Sequence, residues 1–495
     1  MALAGAGSTV VVWFPSPGDQ VVTAAPSFDL EQAISTGSAK AMRTRAIGPR
    51  AVTGTSYSSG RFGNYSSDPL WSVGSALSTR CYRRWLAGIV AFGLAFRLGY
   101  VLIFTRFQNQ RIYDALWYQL TAEQFRIGQF FRVPESTLPT AAHPPLTSFL
   151  LGFVNLVIPF GKGTTVPRLT EAVLGGLVVL LVGIVGRDIA GTKVGLVAAA
   201  LAALAPDFWM PSGIVMSETP AMLTMALILL SIVRYIRSPG IARAALVGVA
   251  CAVATLVRAE LALFVPTLLL PAILGARAES VRRRMGQLGC ALLMFCVLLA
   301  PWVARNLITF TDTTYVSTGT GLALLGANCN QTYYGPQIGS WSFVCATSTP
   351  GPGDESAQSA RDEKRAVQYA RGHLSRLPIV VLARIGREWG FYRPAEDANI
   401  ELGEGRPALA TDAGTIFYYC MLGLGIGGLV IFRRRHIRQW FLLVPAGVLT
   451  FVSALVYGLV RFRAPFEVCL AILAAGAVVR GAEYLSRDGR KFIHK

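Results

Sequence analysis

Apolar runs of 15 to 22 residues recur from about position 85 to position 485, and each is roughly the length of helix that crosses ~30 Å of hydrocarbon. A backbone in lipid has to satisfy its own hydrogen bonds, which leaves helices or a closed barrel. The runs are continuous in Leu, Val, Ala and Gly and lack the apolar/polar alternation of barrel strands. The expectation is an all-α polytopic membrane protein of about ten transmembrane helices, with interfacial helices and a large extracytoplasmic loop. Composition agrees, at 53% hydrophobic and 15% charged residues with a mean hydropathy of +0.48. The spans are predicted near 85–105, 169–186, 192–206, 219–236, 241–257, 261–276, 287–304, 414–432, 439–459 and 464–484.

A formal charge of +19 would suit nucleic acid, but the basic residues fall in short clusters between apolar runs and form no stripe, so no nucleic-acid partner is expected. They read instead as topology signals. The segment 146–160 is apolar, short and preceded by His143-Pro144-Pro145. If it does not span, the clusters Arg83-Arg84, Arg187/Lys193, Arg234/Arg237/Arg243, Arg282-Arg283-Arg284, Arg433-Arg434-Arg435/Arg438 and Arg487/Arg490/Lys491 share one side. The positive-inside rule makes that side cytoplasmic. Residues 146–160 are therefore assigned to the outer interface, both termini to the cytoplasm, and the protein to the plasma (inner) membrane as a multi-pass protein.

The chain divides accordingly. Residues 1–84, rich in Ser, Gly, Ala and Thr, read as a disordered cytoplasmic tail, or in part as an artefact of start-codon choice; the stretch near Val10 is too short and lacks the basic flank of a signal peptide. Residues 85–304 form an N-terminal transmembrane module with a first external loop at 106–168. The external lobe is 305–413, and 414–495 holds the last helices and a short cytoplasmic tail. In the lobe acidic residues slightly outnumber basic ones, unlike the chain as a whole, and Gly, Asn, Tyr and Trp are abundant. Loops this long are usually functional or disordered, and the aromatic content argues for a folded one. From 373 to 393 it reads as an amphipathic helix followed by an aromatic turn. Of eight cysteines, six lie in or beside apolar helices as packing residues. Cys329 and Cys345 lie in the lobe, in a compartment where a disulfide persists, and are the disulfide candidates.

Ionisable groups at membrane depth are costly and tend to serve cavities or function. Asp114 follows the first span among aromatic residues; it either works there or only pairs with Arg106 or Arg111. Glu218 stands at the outer mouth of a span, where Ser217 and Pro220 also suit a helix cap. Arg258 with Glu260 is an interfacial ion pair or a binding site. Tyr457 precedes Arg461-Phe462-Arg463-Ala464-Pro465, two guanidinium groups suited to phosphate or to anchoring. No Walker loop, no Gly-x-Ser-x-Gly elbow and no metal-spaced His/Cys cluster occurs, and the chain has four histidines.

The order of motifs resembles bacterial C-type (GT-C) membrane glycosyltransferases, related to protein O-mannosyltransferases and the lipid A aminoarabinose transferase. The residues that carry it are Asp114 with Tyr118, Ala141-Ala142-His143-Pro144-Pro145-Leu146, Arg168, Ser217-Glu218, and Pro301-Trp302 with Arg305-Asn306. Gly326-Ala327-Asn328, Gly339-Ser340-Trp341 and Arg461 to Pro465 follow, so the likeness covers roughly 85 to 480. It implies a sugar donor on polyprenyl phosphate, a glycan, lipid or protein acceptor on the outer face, and an acid of the first external loop, here Asp114, as catalytic base. Glu218 matches a second acidic position. His143, Arg168, Arg258, Tyr457, Arg461 and Arg463 are the substrate-binding candidates. The pattern often has two adjacent acids where this chain has Asp114-Ala115, so no cofactor and no metal are expected. The expected reaction is attack of an acceptor hydroxyl on the anomeric carbon with inversion, in cell-envelope glycan or glycoconjugate synthesis. A flippase or transporter of a lipid-linked or small polar substrate is the rival, though it should show internal repeats, and none is apparent. A structural subunit of an envelope complex would need none of these charges.

Overall fold

The first helix begins at Thr79, six residues before the apolar run, because the Ser78 side chain accepts a hydrogen bond from the Cys81 amide and caps it. The computed structural model describes residues 77–105, 113–133, 136–160, 163–347 and 351–493. Most of the tail 1–84, the residues Arg106 and Arg111, and the side chains of Arg487, Arg490 and Lys491 lie outside what is described. Among the described residues there is no β-strand, only a bridge between Arg132 and Pro139.

Among the described residues six helices are long and apolar enough to cross a bilayer: Thr79–Thr105, Thr165–Ala190, Glu218–Arg237, Val281–Thr309, Ala408–Arg434 and Val460–Ser486. This is an integral membrane protein. The expected span near 192–206 instead bends by 73° between Thr192–Leu204 and Pro206–Gly213, since Pro206 cannot continue the hydrogen-bond ladder. Ile241–Val257, Ala259–Leu274 and Trp440–Leu455 are apolar helices of fewer than 18 residues at positions where spans were expected. Pro145–Val157 has 13 residues, about 20 Å at the α-helical rise and short of the hydrocarbon thickness. It packs on Tyr113–Glu123 through Leu151 against Ala115, Tyr118 and Ala122.

The last helix is central. In Val460–Ser486, 78% of the apolar window is buried against other helices, compared with 22% in Val281–Thr309, whose bare apolar faces suit lipid. Small residues allow the close approaches. A Cβ on Gly428 would lie 1.8 Å from the Leu473 carbonyl oxygen, and one on Gly248 would lie 2.0 Å from that of Ala291. Cys251 and Cys469 are buried in this packing, whereas Cys296 and Cys420 are exposed on helix faces.

Between the seventh and eighth apolar segments the chain builds a helical lobe that includes Thr320–Ala327, Glu355–Gly372, Leu377–Glu388 and Pro394–Gly403. Asp354 caps Glu355–Gly372 by accepting from Ser356 and Ala357, and also accepts from the Thr311 amide at 2.7 Å. Burial would raise its carboxyl, but these donors outweigh it and hold the group near about 2. Cys329 and Cys345 are disulfide-bonded, with their Cα atoms 6.3 Å apart. Glu355 accepts from the Ala141 amide at 2.9 Å and from the Thr318 hydroxyl, tying the lobe to the loop before His143. Arg305 donates to the Thr140 and Phe131 carbonyls at 3.0 and 3.1 Å, and Trp302 to that of Val316 at 2.8 Å, so these motif residues brace the lobe.

Two contacts lock the 456–463 turn onto the lobe. Gly458 donates to the Gly339 carbonyl at 2.9 Å, and a Cβ there would meet the Arg384 carbonyl oxygen at 1.8 Å, so only glycine fits. Arg384 donates back to the carbonyls of Ala454 and Leu455 at 3.2 and 3.1 Å. The turn that carries Arg461 is thereby held in place.

Candidate functional site

Asp114 lies in the first turn of Tyr113–Glu123, where a carboxylate complements the helix dipole. The buried face of this helix packs on Ile214, Val215 and Met216, just before Glu218. Asp114 therefore arrives beside Glu218 by ordinary apolar packing. Its Oδ2 accepts from Arg461 Nη2 at 3.1 Å, while His143 Nε2 stands 3.8 Å from Oδ1. The His143 ring is held by Tyr118, with centroids 4.9 Å apart, and by Trp117 at 6.3 Å.

The Arg461 guanidinium, 13% exposed, faces three carboxylates: Asp114, Glu218 at 3.6 Å and Glu404 at 3.6 Å. Arg406 stands behind it, 3.9 Å from Glu218, 3.6 Å from Glu401 and 3.7 Å from Glu404. Four carboxylates thus share two guanidiniums, with Arg258 nearby on Glu260 at 2.6 Å and over the Phe462 ring at 4.9 Å. Buried charges are tolerated only when paired, and this network leaves an excess of acid. Burial, together with the neighbouring carboxylates, pushes Glu401 and Glu404 above the ordinary carboxylate range against the pull of the arginines. Asp114 differs. Burial raises it too, but Arg461, His143 and Arg258 outweigh that and hold it below its ordinary range. Its side chain keeps 35% exposure, so it opens to the outside while Glu218, at 2%, does not. Burial holds the His143 imidazole below its ordinary value, against the pull of Asp114.

The structure brings Asp114, Glu218, His143 and Arg461 together, with Arg258 and Tyr457 at the edge; the Tyr457 ring packs 4.9 Å from that of Phe462. It separates Arg168 and Arg463 from them. Arg168 is buried and donates to the Thr105 carbonyl at 2.5 Å, closing the end of the first span. Arg463 turns the other way, donating to Glu467 at 2.8 Å and Asp207 at 3.0 Å, with its guanidinium 3.5 Å over the Tyr418 ring. The turn Val460–Arg463 is a 3₁₀ helix, in which neighbours one residue apart point about a third of a turn away and residues three apart eclipse. Two arginines that look equivalent in sequence therefore diverge.

Glu401, Glu404 and Arg406 escape the sequence reading, although three charges within six residues ahead of an apolar run were a signal. Glu171 also escapes: it is buried inside a span beside Thr219, and an acid within an apolar run deserved the weight given to Glu218. Among the described residues no group of three His, Cys, Asp or Glu side chains is spaced to hold a metal ion.

Residues 142–304 match the family model described as dolichyl-phosphate-mannose-protein mannosyltransferase. The oligosaccharyltransferase of Archaeoglobus fulgidus, tethered to an acceptor peptide, superimposes with a TM-score of 0.50 at 14% identity, over 81% of this chain and 50% of that one. The chain resembles the C-type membrane glycosyltransferases. A second structure from the same organism, AglB in complex with an inhibitory peptide and a dolichol-phosphate, gives 0.49 at 16% identity, over 83% of this chain and 52% of that one. ArnT from Cupriavidus metallidurans, bound to undecaprenyl phosphate, gives 0.38 at 16% identity, over 81% and 79%. The chain spans about half the length of the archaeal structures it matches. No curated protein matches it in sequence. The C-type likeness is thus one of fold across the chain and of family sequence over 142–304, a segment that includes His143, Arg168, Glu218 and Arg258.

Proposed function

We propose that this chain transfers a sugar from a polyprenyl-phosphate donor to an acceptor hydroxyl at the outer face of the membrane, with inversion, in cell-envelope glycan or glycoconjugate synthesis. The reading takes ten spans, cytoplasmic termini and an extracytoplasmic site. The observation that carries it is the 3.1 Å pair between Asp114 and Arg461, which joins a half-buried carboxylate of the first external loop to a more deeply buried cation from the last.

The pair suggests an order of events. While Arg461 holds Asp114, the carboxylate is a weak base. A donor phosphate competes for the guanidinium, because a phosphate oxygen is as good a partner as a carboxylate. Glu404, raised by burial, can take a proton and so release its own hold on Arg461. Asp114, freed from its cation, gains basicity and accepts the proton of the acceptor hydroxyl. The hydroxyl oxygen then bonds to the anomeric carbon from the face opposite the phosphate, the carbon–phosphate-oxygen bond breaks, and polyprenyl phosphate leaves with the electron pair. Arg461 and Arg258 stabilise the departing charge. Glu218, 3.6 Å from Arg461, keeps the guanidinium in reach, and His143, 3.8 Å from Asp114, orients it. In this reading the guanidinium stands where a cation would stabilise the phosphate, so no metal is assigned; transfer that survives EDTA checks the point.

A positioned base contributes about 10² to 10⁴ in rate. Asp114→Asn in purified full-length protein is expected to lose that much transfer of radiolabelled sugar from a polyprenyl-phosphate donor while remaining folded. Retained transfer removes Asp114 from the mechanism, and movement of intact donor without a glycosylated product favours the flippase reading.

A further inference from the structure

Arg461 and His143 both meet Asp114, and the lobe grips the backbone beneath each. On the Arg461 side the grip is the bond from Gly458 to Gly339. On the His143 side it is closer. All four backbone polar groups of Ala141 and Ala142 are engaged. The Ala141 amide donates to Glu355 Oε1 at 2.9 Å, and its carbonyl accepts from the Thr318 amide at 2.8 Å. The Ala142 amide donates to the Thr140 hydroxyl at 3.1 Å, and its carbonyl accepts from the Ser317 hydroxyl at 2.7 Å. Arg305 holds the preceding carbonyl, that of Thr140, at 3.0 Å. The 317–319 turn lies so near that a Cβ on Gly319 would stand 2.5 Å from the Ala142 carbonyl oxygen.

Beyond this clamp the chain is equally stiff. Pro144 and Pro145 fix their own φ angles, and a proline at 144 confines His143 to extended backbone. His143 is therefore a single joint between a pinned dipeptide and a rigid one, with its ring 4.9 Å from that of Tyr118 and Nε2 3.8 Å from Asp114 Oδ1. The lobe contributes one charged member to the clamp, Glu355, whose Oε1 takes two donors at once, the Ala141 amide and the Thr318 hydroxyl. Glu355 is itself fixed. It opens the helix Glu355–Gly372 directly after the capping Asp354, where its charge complements the helix dipole. One carboxylate oxygen, 214 residues along the chain from Ala141, thus ties the loop to the turn that closes over it.

We infer that Glu355 is a positioning residue for sugar transfer: it holds the backbone of Ala141 and Ala142 so that His143 meets Asp114. Resting on the transferase reading above, this role makes the lobe part of the working site. Glu355 acts through His143 and not on the reacting atoms. The donor phosphate belongs to the Arg461 side, which the Gly458 and Arg384 contacts hold. Loss of Glu355 therefore slows the proton step and leaves donor binding nearly as it is. Misplacement on the order of 1 Å costs a reaction up to about 10²-fold.

Two measurements on the full chain test this. In the first, diethyl pyrocarbonate acylates His143, and mass spectrometry follows the modified peptide. Glu355→Ala is expected to label at least about threefold faster than wild type as the loop opens locally, whereas Glu355→Gln, which keeps an acceptor oxygen, labels at the wild-type rate. His436, exposed in the turn before Trp440–Leu455, reacts alike in all three and verifies the fold. In the second, turnover at saturating undecaprenyl-phosphate mannose, with native membranes as acceptor source, falls at least about tenfold in Glu355→Ala. The KM for that donor stays within about twofold, and Glu355→Gln restores turnover. If Glu355→Ala fails to fold, Ser317→Ala, which removes the hydroxyl on the Ala142 carbonyl, moves both readings in the same direction. Unchanged labelling in the folded variant overturns the proposal. So does faster labelling with unchanged turnover, or a loss in Glu355→Gln as deep as in Glu355→Ala. Where Asp114→Asn transfers as well as wild type, the transferase mechanism fails, and the labelling alone then decides whether Glu355 sets His143.

Discussion

The two ends of the helix bundle handle charge in opposite ways. At one end a single acid gathers cations: Asp188, itself 8% exposed, faces Arg187 at 2.9 Å, Arg234 at 3.7 Å and Arg237 at 3.9 Å, and the three arginines are 33% to 55% exposed. Glu483 does the same for Lys193, Arg435 and Arg480. At the other end a single cation gathers acids, and Arg461, Glu218 and Glu404 are nearly closed to water. Because the cations there keep their water, such pairs contribute at most about 1 kcal/mol each, so the first arrangement costs little and serves orientation. The second is expensive to assemble, because each buried ion forgoes its hydration. A buried network of mismatched charge gains little stability that apolar packing would not also supply, and function is the better account of it.

That contrast can be broken or sharpened by substitution. The largest effect is expected from Arg461→Ala, which leaves three carboxylates without their shared cation and the phosphate without its partner; transfer should fall at least about 10²-fold. Asp188→Asn should leave transfer within about twofold, and an equal loss from both would erase the distinction between the ends. Next comes Glu388, fully buried beside Arg463 and Arg258, whose carboxyl burial raises from 4.5 to about 8. A raised acid binds its proton more tightly folded than unfolded, so its contribution is complete below about 4.5 and is lost as pH rises through about 8. Each unit of displacement is worth about 1.4 kcal/mol. Glu388→Gln should therefore raise the Tm at alkaline pH by several degrees and change it little in mild acid; equal shifts at both would contradict the assignment. Glu404→Gln removes one competitor for Arg461, and dodecyl phosphate should then bind a few-fold more tightly in a titration; unchanged affinity would sever Arg461 from the phosphate. The smallest effect is that of Asp188→Asn on stability, below about 1 kcal/mol, read as a Tm difference.

Much of the architecture was legible before any coordinates. The apolar runs announce spans because hydrocarbon thickness sets helix length, and the segment 146–160, ambiguous by length and assigned by loop charge, forms the 13-residue helix Pro145–Val157. Asp114, Glu218 and Arg461 stood out because a charge at the end of an apolar run needs a reason. The helix from 373 to 393 was read one turn too early: it runs Leu377–Glu388, with the aromatic turn following as expected and Arg393 in the left-handed region at φ 49°. Arg305 and Trp302 matched a motif for reasons the sequence does not disclose, since they hold carbonyls of the 131–140 and 316 segments.

What the sequence determined by itself is therefore local: where the chain is apolar enough for a bilayer, where basic residues cluster between spans, and which ionisable groups stand at span ends. Partnership was decided by tertiary structure alone. Asp114 and Arg461 are 347 residues apart, Arg406 comes from a loop far along the chain from the helix that Glu218 begins, and Arg463 parts from Arg461 because a 3₁₀ turn points them at different walls. The physical reason is that periodicity and propensity act over a few residues, whereas the cost of burying a charge is settled by whichever group the packed helices bring within 4 Å of it.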